Sequence, residues 1–137
     1  MKIEYTENPT EEFENKISDG LGSYEEEKGI DIGYKKYAFV LADNKDIIGG
    51  LTGYTAFEEI YIDDLWVDKK CRGKGYGKML VDKVYEKFKN KGFDNINLCT
   101  NGFQAPKFYE KCGYQLEFVR KKKNPKLTKY FFIKRFS

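Results

Sequence analysis

The chain has 137 residues and a formal net charge of +3, and its 11 Tyr and 11 Phe residues supply a core, so we expect one domain, residues 1–137, rather than a disordered chain. It has no histidine, and its three cysteines lack the spacing of a metal pair or a disulfide framework, which predicts a metal-free protein of a reducing compartment. The first residues lack the apolar run of a secretory signal and no segment approaches the ~20 apolar residues of a membrane span, so we expect a cytoplasmic protein without a membrane partner.

The first predicted element is a helix. Asn8 suits a helix cap and Pro9 the first helical position, and apolar residues recur on one helical face over residues 13–24. Gly20 and Gly22 weaken this helix and predict a bend or a break.

A hairpin follows the helix. The β-rich runs 37–42 and 47–54 flank a cluster of turn-forming residues at 43–46. This arrangement predicts two antiparallel strands joined by a short turn.

The longest strand is predicted over residues 57–67. Strict alternation places Ile60, Ile62 and Trp66 on one face, but it also forces Asp64 onto that face. A bulge near Asp64 and Leu65 would relieve the conflict, and bulges often lie beside active sites.

The second half of the chain alternates helices and strands. Apolar residues every four positions from Tyr76 predict a helix that runs to about Lys91 and stops at Gly92. Four shorter elements follow, namely a strand at 95–100, a helix at 106–112, and strands at 114–120 and 128–136. A strand, helix and strand at 57–100 require a parallel pair, so we predict an α/β (α+β) fold with a mixed, mostly antiparallel sheet, a central parallel strand pair and flanking helices.

The glycine-rich segment between the long strand and the long helix predicts an anion site. Glycines at 73, 75 and 77 leave the backbone unobstructed, and the first N–H groups of the helix add positive potential. Arg72, Lys74 and Lys78 would add charge-assisted contacts to a multi-oxygen anion such as a pyrophosphate. The spacing matches neither a Walker A loop nor a Rossmann fingerprint.

The segment Arg72-Gly73-Lys74-Gly75-Tyr76-Gly77 resembles the R/Q-x-x-G-x-G/A loop of GNAT-superfamily N-acetyltransferases. The surrounding LWVDKKCRGKGYGKMLV is similar to their strand, loop and helix for acetyl-CoA, and NGFQAPKFYEKCGY to their next strand end and helix. The resemblance covers residues 57–114 and implies a GNAT-like acyl-CoA N-acyltransferase fold. It also implies acetyl transfer from acetyl-CoA, as co-substrate, to a primary amine by direct attack in a ternary complex.

The resemblance also implies roles for individual residues. The main chain of Leu65, Trp66 and Val67 would pair with the pantetheine arm, and Arg72, Gly73, Lys74, Gly75, Tyr76, Gly77 and Lys78 would hold the pyrophosphate. Asn101, Ala105 and Lys107 would line the far wall of the cofactor site. Tyr109 matches the tyrosine that protonates the departing thiolate in many members of the family.

A base is needed because a lysine-like amine is mostly protonated at neutral pH. Without histidine, the carboxylates Glu58, Glu59, Asp63 and Asp64 are the obvious acceptors, and the candidates retained are Glu59 and Asp64. For each of these carboxylates, the alternative is a solvated residue on a strand edge that has no catalytic role. The cysteines lack an activating partner, so direct transfer is favoured over an acetyl-cysteine intermediate.

The acceptor, a small-molecule or protein amine, is not specified by the sequence. Residues 1–66 hold 6 basic and 16 acidic residues, a net charge of −10, and residues 67–137 hold 19 basic and 6 acidic residues, a net charge of +13. The acidic first half slightly favours a polycationic acceptor.

Two other classes of function compete with the enzyme. One is a non-catalytic module that senses acyl-CoA. The other is nucleic-acid binding through the basic run 120–123, but such runs are usually solvated turns and no recognition motif accompanies this one, so we expect no nucleic-acid partner. A homodimer is a reasonable expectation from the resemblance.

Overall fold

A computed structural model of the chain describes residues 1–104 and 106–136. The chain divides into two units, residues 1–32 and the segment that begins at Gly33. The prediction of a single domain over the whole chain stays a prediction.

The first unit contains helix α1, Glu11–Glu27. Thr10, rather than Asn8, caps it, because the Thr10 hydroxyl accepts a hydrogen bond of 3.1 Å from the Phe13 amide. The helix continues through Gly20 and Gly22, so the predicted break is absent within this described segment. None of the helices in the described residues is both long and apolar enough to cross a bilayer.

From Gly33 onward the described residues form one six-stranded sheet. In chain order the strands are β1 (Lys35–Asp43), β2 (Asp46–Ala56), β3 (Glu59–Val67), β4 (Asn95–Asn101), β5 (Gln115–Arg120) and β6 (Lys129–Arg135). Their spatial order is β1-β2-β3-β4-β6-β5, and every neighbouring pair is antiparallel except β3 and β4. The predicted hairpin and the predicted parallel pair are both confirmed.

Phe57 and Glu58 form the turn between β2 and β3 rather than the start of the strand. Both have positive φ angles, 52° and 62°, as a two-residue hairpin turn of the I′ type requires. Such turns normally carry Asn or Gly, so no local signal in the chain predicts this one. The Glu58 carbonyl accepts a hydrogen bond of 2.8 Å from the Asp94 amide, which ties the turn to the start of β4.

The bulge in β3 is at Asp63, next to the predicted position. Thr52 pairs with Asp64 and Gly53 pairs with Ile62, which leaves Asp63 as the extra residue. The bulge reverses the alternation. As a result Leu65 contacts the core, whereas Trp66, predicted to share the apolar face, is 52% exposed.

Two helices accompany the core. Helix α2, Tyr76–Phe88, buries Leu80, Val81 and Val84, and helix α3, Lys107–Lys111, buries Tyr109. Tyr109 packs its ring 5.8 Å from that of Phe132 on β6. Helix α2 ends three residues before Lys91, its predicted last residue, because Lys89 leaves the helical conformation and the chain then turns through positive φ.

The fold class predicted from the sequence is confirmed: a mixed, mostly antiparallel sheet with one parallel pair and three helices in the described residues. The core draws its side chains largely from β3, β4, β6 and α2, and includes Ile60, Ile62, Ile96, Leu98 and Phe132. Because this core holds β3 against β4, it also positions the residues at the ends of these two strands.

Candidate functional site: a glycine loop and a cavity between two strands

The glycine-rich loop leads from β3 into α2. Gly73 and Gly75 have φ angles of 78° and 83°, a region that side chains other than glycine rarely adopt, and a Cβ on either would meet open space. Gly75 directly precedes the first helical residue, Tyr76, and carries no side chain to cap the helix. The first N–H groups of α2 therefore face the loop surface, where an anion can accept from them.

The loop cations are placed around this helix start. Arg72 folds back on the end of β3, where its Nε donates to the Val67 carbonyl at 2.9 Å. Lys78 forms an ion pair of 2.7 Å with Asp82 one turn along α2, and this partner raises the pKa of Lys78. Lys74 is exposed at the tip of the loop. All three side chains are exposed to solvent, where an incoming anion can reach them.

Strands β3 and β4 separate beside the loop. Their parallel pairing joins Glu59–Ile62 to Asn95–Leu98 and goes no further along either strand. Beyond it, β3 continues along β2 from Asp64 to Val67, while β4 continues along β6 to Asn101. The two strands diverge like the arms of a V, and the facing edges of the V present backbone N–H and C=O groups.

A cavity of about 300 Å³ lies in the open end of the V. Residues of two strands and of the chain after them line it, namely Asp63, Asp64 and Leu65 from β3, Cys99, Thr100 and Asn101 from β4, Gln104 from the turn after β4, and Phe108 and Tyr109 from α3. The bulge delivers two successive carboxylates to one cavity, which regular alternation would prevent.

The carboxylates of β3 divide into two groups. Asp63 and Asp64 are exposed toward the cavity, and partial desolvation, with a further contribution from Asp64, raises the pKa of Asp63 above its ordinary value. Glu59 lies at the closed end of the V, where it accepts a 3.0 Å hydrogen bond from Asn95 Nδ2 and another from the Tyr61 hydroxyl. Glu59 thus joins β3 to β4 where they pair.

Tyr109 reaches the cavity from α3. Its side chain is 8% exposed and is packed between the rings of Phe108, Tyr114 and Phe132. Burial, with a smaller effect of Cys112, raises the pKa of Tyr109 to about 12. The phenol therefore holds its proton at neutral pH.

The far wall is held by the chain after β4. Asn101 Nδ2 donates to the Leu127 carbonyl at 3.0 Å, and Gln104 Oε1 accepts from the Asn101 amide at 3.0 Å. Lys107 is exposed at the start of α3, and Ala105 lies outside the described residues. Trp66 is on β3 beyond the cavity-lining residues.

Several cavity residues are not predicted by the sequence. Cys99 and Thr100 carry no motif, and Gln104 lies in the NGFQAPKFYEKCGY segment without a role assigned to it. Their position at the end of β4 and just after it brings them to the V. Asp63 is one of four acidic candidates in the sequence. It differs from its neighbours only in being the extra residue of the bulge. No group of three potential ligand side chains within residues 1–104 and 106–136 is arranged to hold a metal ion.

Comparison with known proteins is consistent with this geometry. The sequence profile of the Acetyltransferase (GNAT) family matches residues 4–114. The chain is 30% identical over 102 residues to the blasticidin-S acetyltransferase of Streptomyces morookaense, a match that covers 74% of each protein.

Two solved structures extend the comparison. A crystal structure of an acetyltransferase from Bacillus cereus superposes with a TM-score of 0.81 and 31% identity, covering 97% of this chain and 98% of that one. A proposed streptothricin acetyltransferase from Bacillus anthracis, crystallised in complex with acetyl coenzyme A, has a TM-score of 0.65 and 27% identity, covering 74% and 63%. The chain therefore belongs to the GNAT family of acetyltransferases.

Proposed function

We propose that the protein transfers the acetyl group of acetyl-CoA to a primary amine. The observation that carries the proposal is the cavity in the V, which lies between the two strands and is lined by Asp63, Asp64 and Tyr109. The glycine loop would hold the pyrophosphate on the N–H groups that precede and begin α2. The pantetheine arm would lie along the open edge of β3 at Leu65–Val67, in the manner of an added strand.

Acetyl transfer would proceed by direct attack in a ternary complex. The neutral amine nitrogen attacks the thioester carbonyl carbon, a C–N bond forms, and the C–S bond breaks. The amine loses one proton to a base, and the departing thiolate gains one from an acid. The products are an amide and the free thiol of coenzyme A, so the transfer needs no oxidant or metal.

The described side chains suit these two proton transfers. Tyr109 keeps its proton at neutral pH and lines the cavity, which fits the role of acid toward the thiolate. Asp63 and Asp64 share the cavity and fit the role of base, directly or through water. Glu59, also predicted as a base, would act from the closed end of the V, where it already bonds Asn95 and Tyr61.

Binding can be tested with a matched pair of glycine variants. Gly75 and Gly92 have φ angles of 83° and 88°, and a methyl group added to either would meet open space, so Gly75→Ala and Gly92→Ala impose similar backbone strain. Only Gly75 lies in the loop. Gly75→Ala should weaken acetyl-CoA binding about five- to thirtyfold in calorimetry, because a strain near 1–2 kcal/mol drives the loop out of the conformation that holds the anion, and Gly92→Ala should leave binding unchanged.

Turnover can be tested by measuring thiol release over a panel of primary amines. Release of coenzyme A with at least one amine supports the enzyme. Binding of acetyl-CoA with no thiol release from any amine would instead identify a non-catalytic acyl-CoA sensor. Absence of any affinity for coenzyme A would remove the proposal altogether.

A further inference from the structure

A second cavity lies beside the first, on the strands β1, β2 and β3. Its volume is about 540 Å³, within the range of small-molecule sites. Five of its lining residues carry the argument, namely Tyr34, Lys36, Tyr37, Tyr54 and Asp63. We call this cavity the tyrosine cleft.

Aromatic rings form one wall of the tyrosine cleft. The ring centroids of Tyr34 and Tyr54 are 5.6 Å apart, and Tyr54 stacks on Tyr61 at 4.7 Å with an interplanar angle of 18°. Tyr34 is 56% exposed, so its ring is accessible to a ligand. A row of ring faces attracts flat apolar groups and the cationic groups attached to them.

Asp63 belongs to both cavities. It lines the tyrosine cleft and also the cavity in the V, because the bulge places it between them. Its negative charge acts on Tyr37 and Tyr54, whose pKa values are raised chiefly by burial and then by Asp63. An ammonium group held at Asp63 would therefore be next to both the cleft and the proposed thioester site.

Lys36 gives the tyrosine cleft a positive charge as well. It is paired across the strands with Tyr54 and is exposed on the same face. A second ammonium on the ligand would be repelled by Lys36, whereas a neutral or carboxylate-bearing ligand would not.

Resting on the proposed function, we propose that the acceptor is a monoamine on a flat, apolar body, which lies on the Tyr34–Tyr54 wall with its amine at Asp63. Asp63 takes the proton that converts the bound ammonium into a neutral amine, and the nitrogen then forms its C–N bond to the acetyl carbon as the C–S bond breaks. The second N–H proton leaves to solvent, and the released thiolate takes a proton from solvent or Tyr109. This differs from the polycationic acceptor that the charge distribution along the chain favours.

The proposal predicts a substrate preference. With acetyl-CoA at saturation, kcat/KM for 2-phenylethylamine should exceed that for spermidine by at least about tenfold, since each ring contact contributes roughly a factor of 2 to 13. Tyr34→Leu should lower kcat/KM for 2-phenylethylamine about five- to tenfold and leave the KM for acetyl-CoA unchanged. Phe118→Leu is the matched control, because Phe118 is an aromatic residue with similar exposure, 55%, on the edge strand β5.

A charge variant tests the role of Lys36. Lys36→Glu should raise kcat/KM for spermidine and lower the preference for 2-phenylethylamine. Lys45→Glu, in the exposed turn between β1 and β2, makes the same change of charge away from the cleft and should leave the preference unaltered. A preference for spermidine by the unaltered protein, with no effect of Tyr34→Leu, would overturn the inference while leaving the enzyme in place.

Calorimetry separates this inference from the proposed function. The protein loaded with coenzyme A should bind 2-phenylethylamine at neutral pH, and Asp63→Asn should abolish that binding, whereas Asp43→Asn at the end of β1 should not. If this pattern holds but no amine is acetylated, the cleft is supported and the enzyme is not. If acetylation occurs but 2-phenylethylamine fails to bind, the inference about the cleft is wrong.

Discussion

At the scale of single residues, Tyr109 provides the sharpest test of the proposed chemistry. Tyr109→Phe removes the phenol and keeps the buried ring, so we expect kcat to fall about 10²-fold while acetyl-CoA affinity changes little. Tyr85→Phe is the control, because Tyr85 stacks on Phe136 away from the cavity lining. Since the pKa of Tyr109 is about 12, no alkaline loss of rate from this group is expected below about pH 11. An unchanged kcat would remove Tyr109 from the mechanism.

Asp63 is expected to trade stability for activity. Partial burial and then Asp64 raise its pKa in the folded protein above the unfolded value, so the native state holds this proton more tightly. Stability associated with Asp63 is thus greatest at low pH and falls as pH rises through the two pKa values. Asp63→Asn should keep or raise Tm at pH 7.

Asp63→Asn should also remove the rise of kcat/KM with pH that ionisation of Asp63 causes. If Asp63 is the base, kcat/KM of the unaltered protein rises with pH as this carboxyl ionises, with an apparent pKa above that of an ordinary aspartate. Asp63→Asn should abolish most activity across the range. If Asp63→Asn keeps full activity and an unchanged dependence of kcat/KM on pH, Asp63 is excluded as the base and Asp64 is the candidate that remains in the cavity.

At the scale of elements, Gly53 supports the bulge that shapes both cavities. A Cβ at this position would overlap the Tyr61 carbonyl oxygen and lie 2.5 Å from Tyr37 Oη. That hydroxyl donates to the same carbonyl at 2.8 Å, so the glycine admits the hydrogen bond that spans the strands beside the bulge. The backbone oxygen cannot move away without disturbing the β2–β3 pairing.

Gly53→Ala is therefore expected to lower the free energy of unfolding by about 2–4 kcal/mol, through overpacking and the loss of the Tyr37 hydrogen bond. Urea denaturation followed by tryptophan fluorescence of Trp66 would measure it. Gly20→Ala, in α1 with open space around the new methyl, should not destabilise the protein. Equal unfolding midpoints for the parent and Gly53→Ala would contradict the role assigned to Gly53.

A substitution in the turn between β2 and β3 is expected to raise the free energy of unfolding, which is the opposite of the effect of Gly53→Ala. Glu58 adopts a φ of 62°, which costs a non-glycine residue about 1 kcal/mol. Glu58→Gly should accordingly raise the stability by up to about 1 kcal/mol, since glycine adopts this conformation without steric cost. Glu86→Gly, at an exposed helical position of α2, should instead lower it by about 1 kcal/mol. Denaturation midpoints of the two variants would establish both signs.

At the scale of the whole molecule, the charge distribution should govern cofactor binding. Residues 67–137 carry 19 basic and 6 acidic residues, and the glycine loop lies in this cationic part. Since salt screens exposed charges beyond about 10 Å at 0.1 M, acetyl-CoA affinity should fall as ionic strength rises from about 50 to about 500 mM. Lys74→Ala should reduce the salt dependence, whereas Lys45→Ala in the acidic part should not. Calorimetry at several salt concentrations would detect the difference.

Much of the molecule could be predicted from local signals. The turn formers at 43–46 identified the first hairpin, and the strand, helix and strand that surround the glycine loop required a parallel pair. The alternation conflict at Asp64 indicated a bulge within one residue of its position. These signals are local because turn chemistry and side-chain periodicity act over a few residues.

Other features depended on contacts between distant segments. The I′ turn at Phe57 and Glu58 carries no turn residues and is tied to Asp94 across the sheet. Glu59 differs from its acidic neighbours in its hydrogen bond with Asn95 on β4, a partner that the sequence does not indicate. Gln104 reaches the cavity only because β4 ends there.

The class of fold, the glycine loop at a helix start and the resemblance to the acetyltransferases all follow from the order of residues along the chain, because turn chemistry, periodicity and motifs are local. Contacts between distant strands bring Asp63 and Asp64 into one cavity with Tyr109 and place Asp63 in the tyrosine cleft as well. One extra residue in β3 reverses the facing of every side chain after it. Its position is set by the pairing with Thr52 and Gly53 on β2, beside the hydrogen bond from the Tyr37 hydroxyl to the Tyr61 carbonyl.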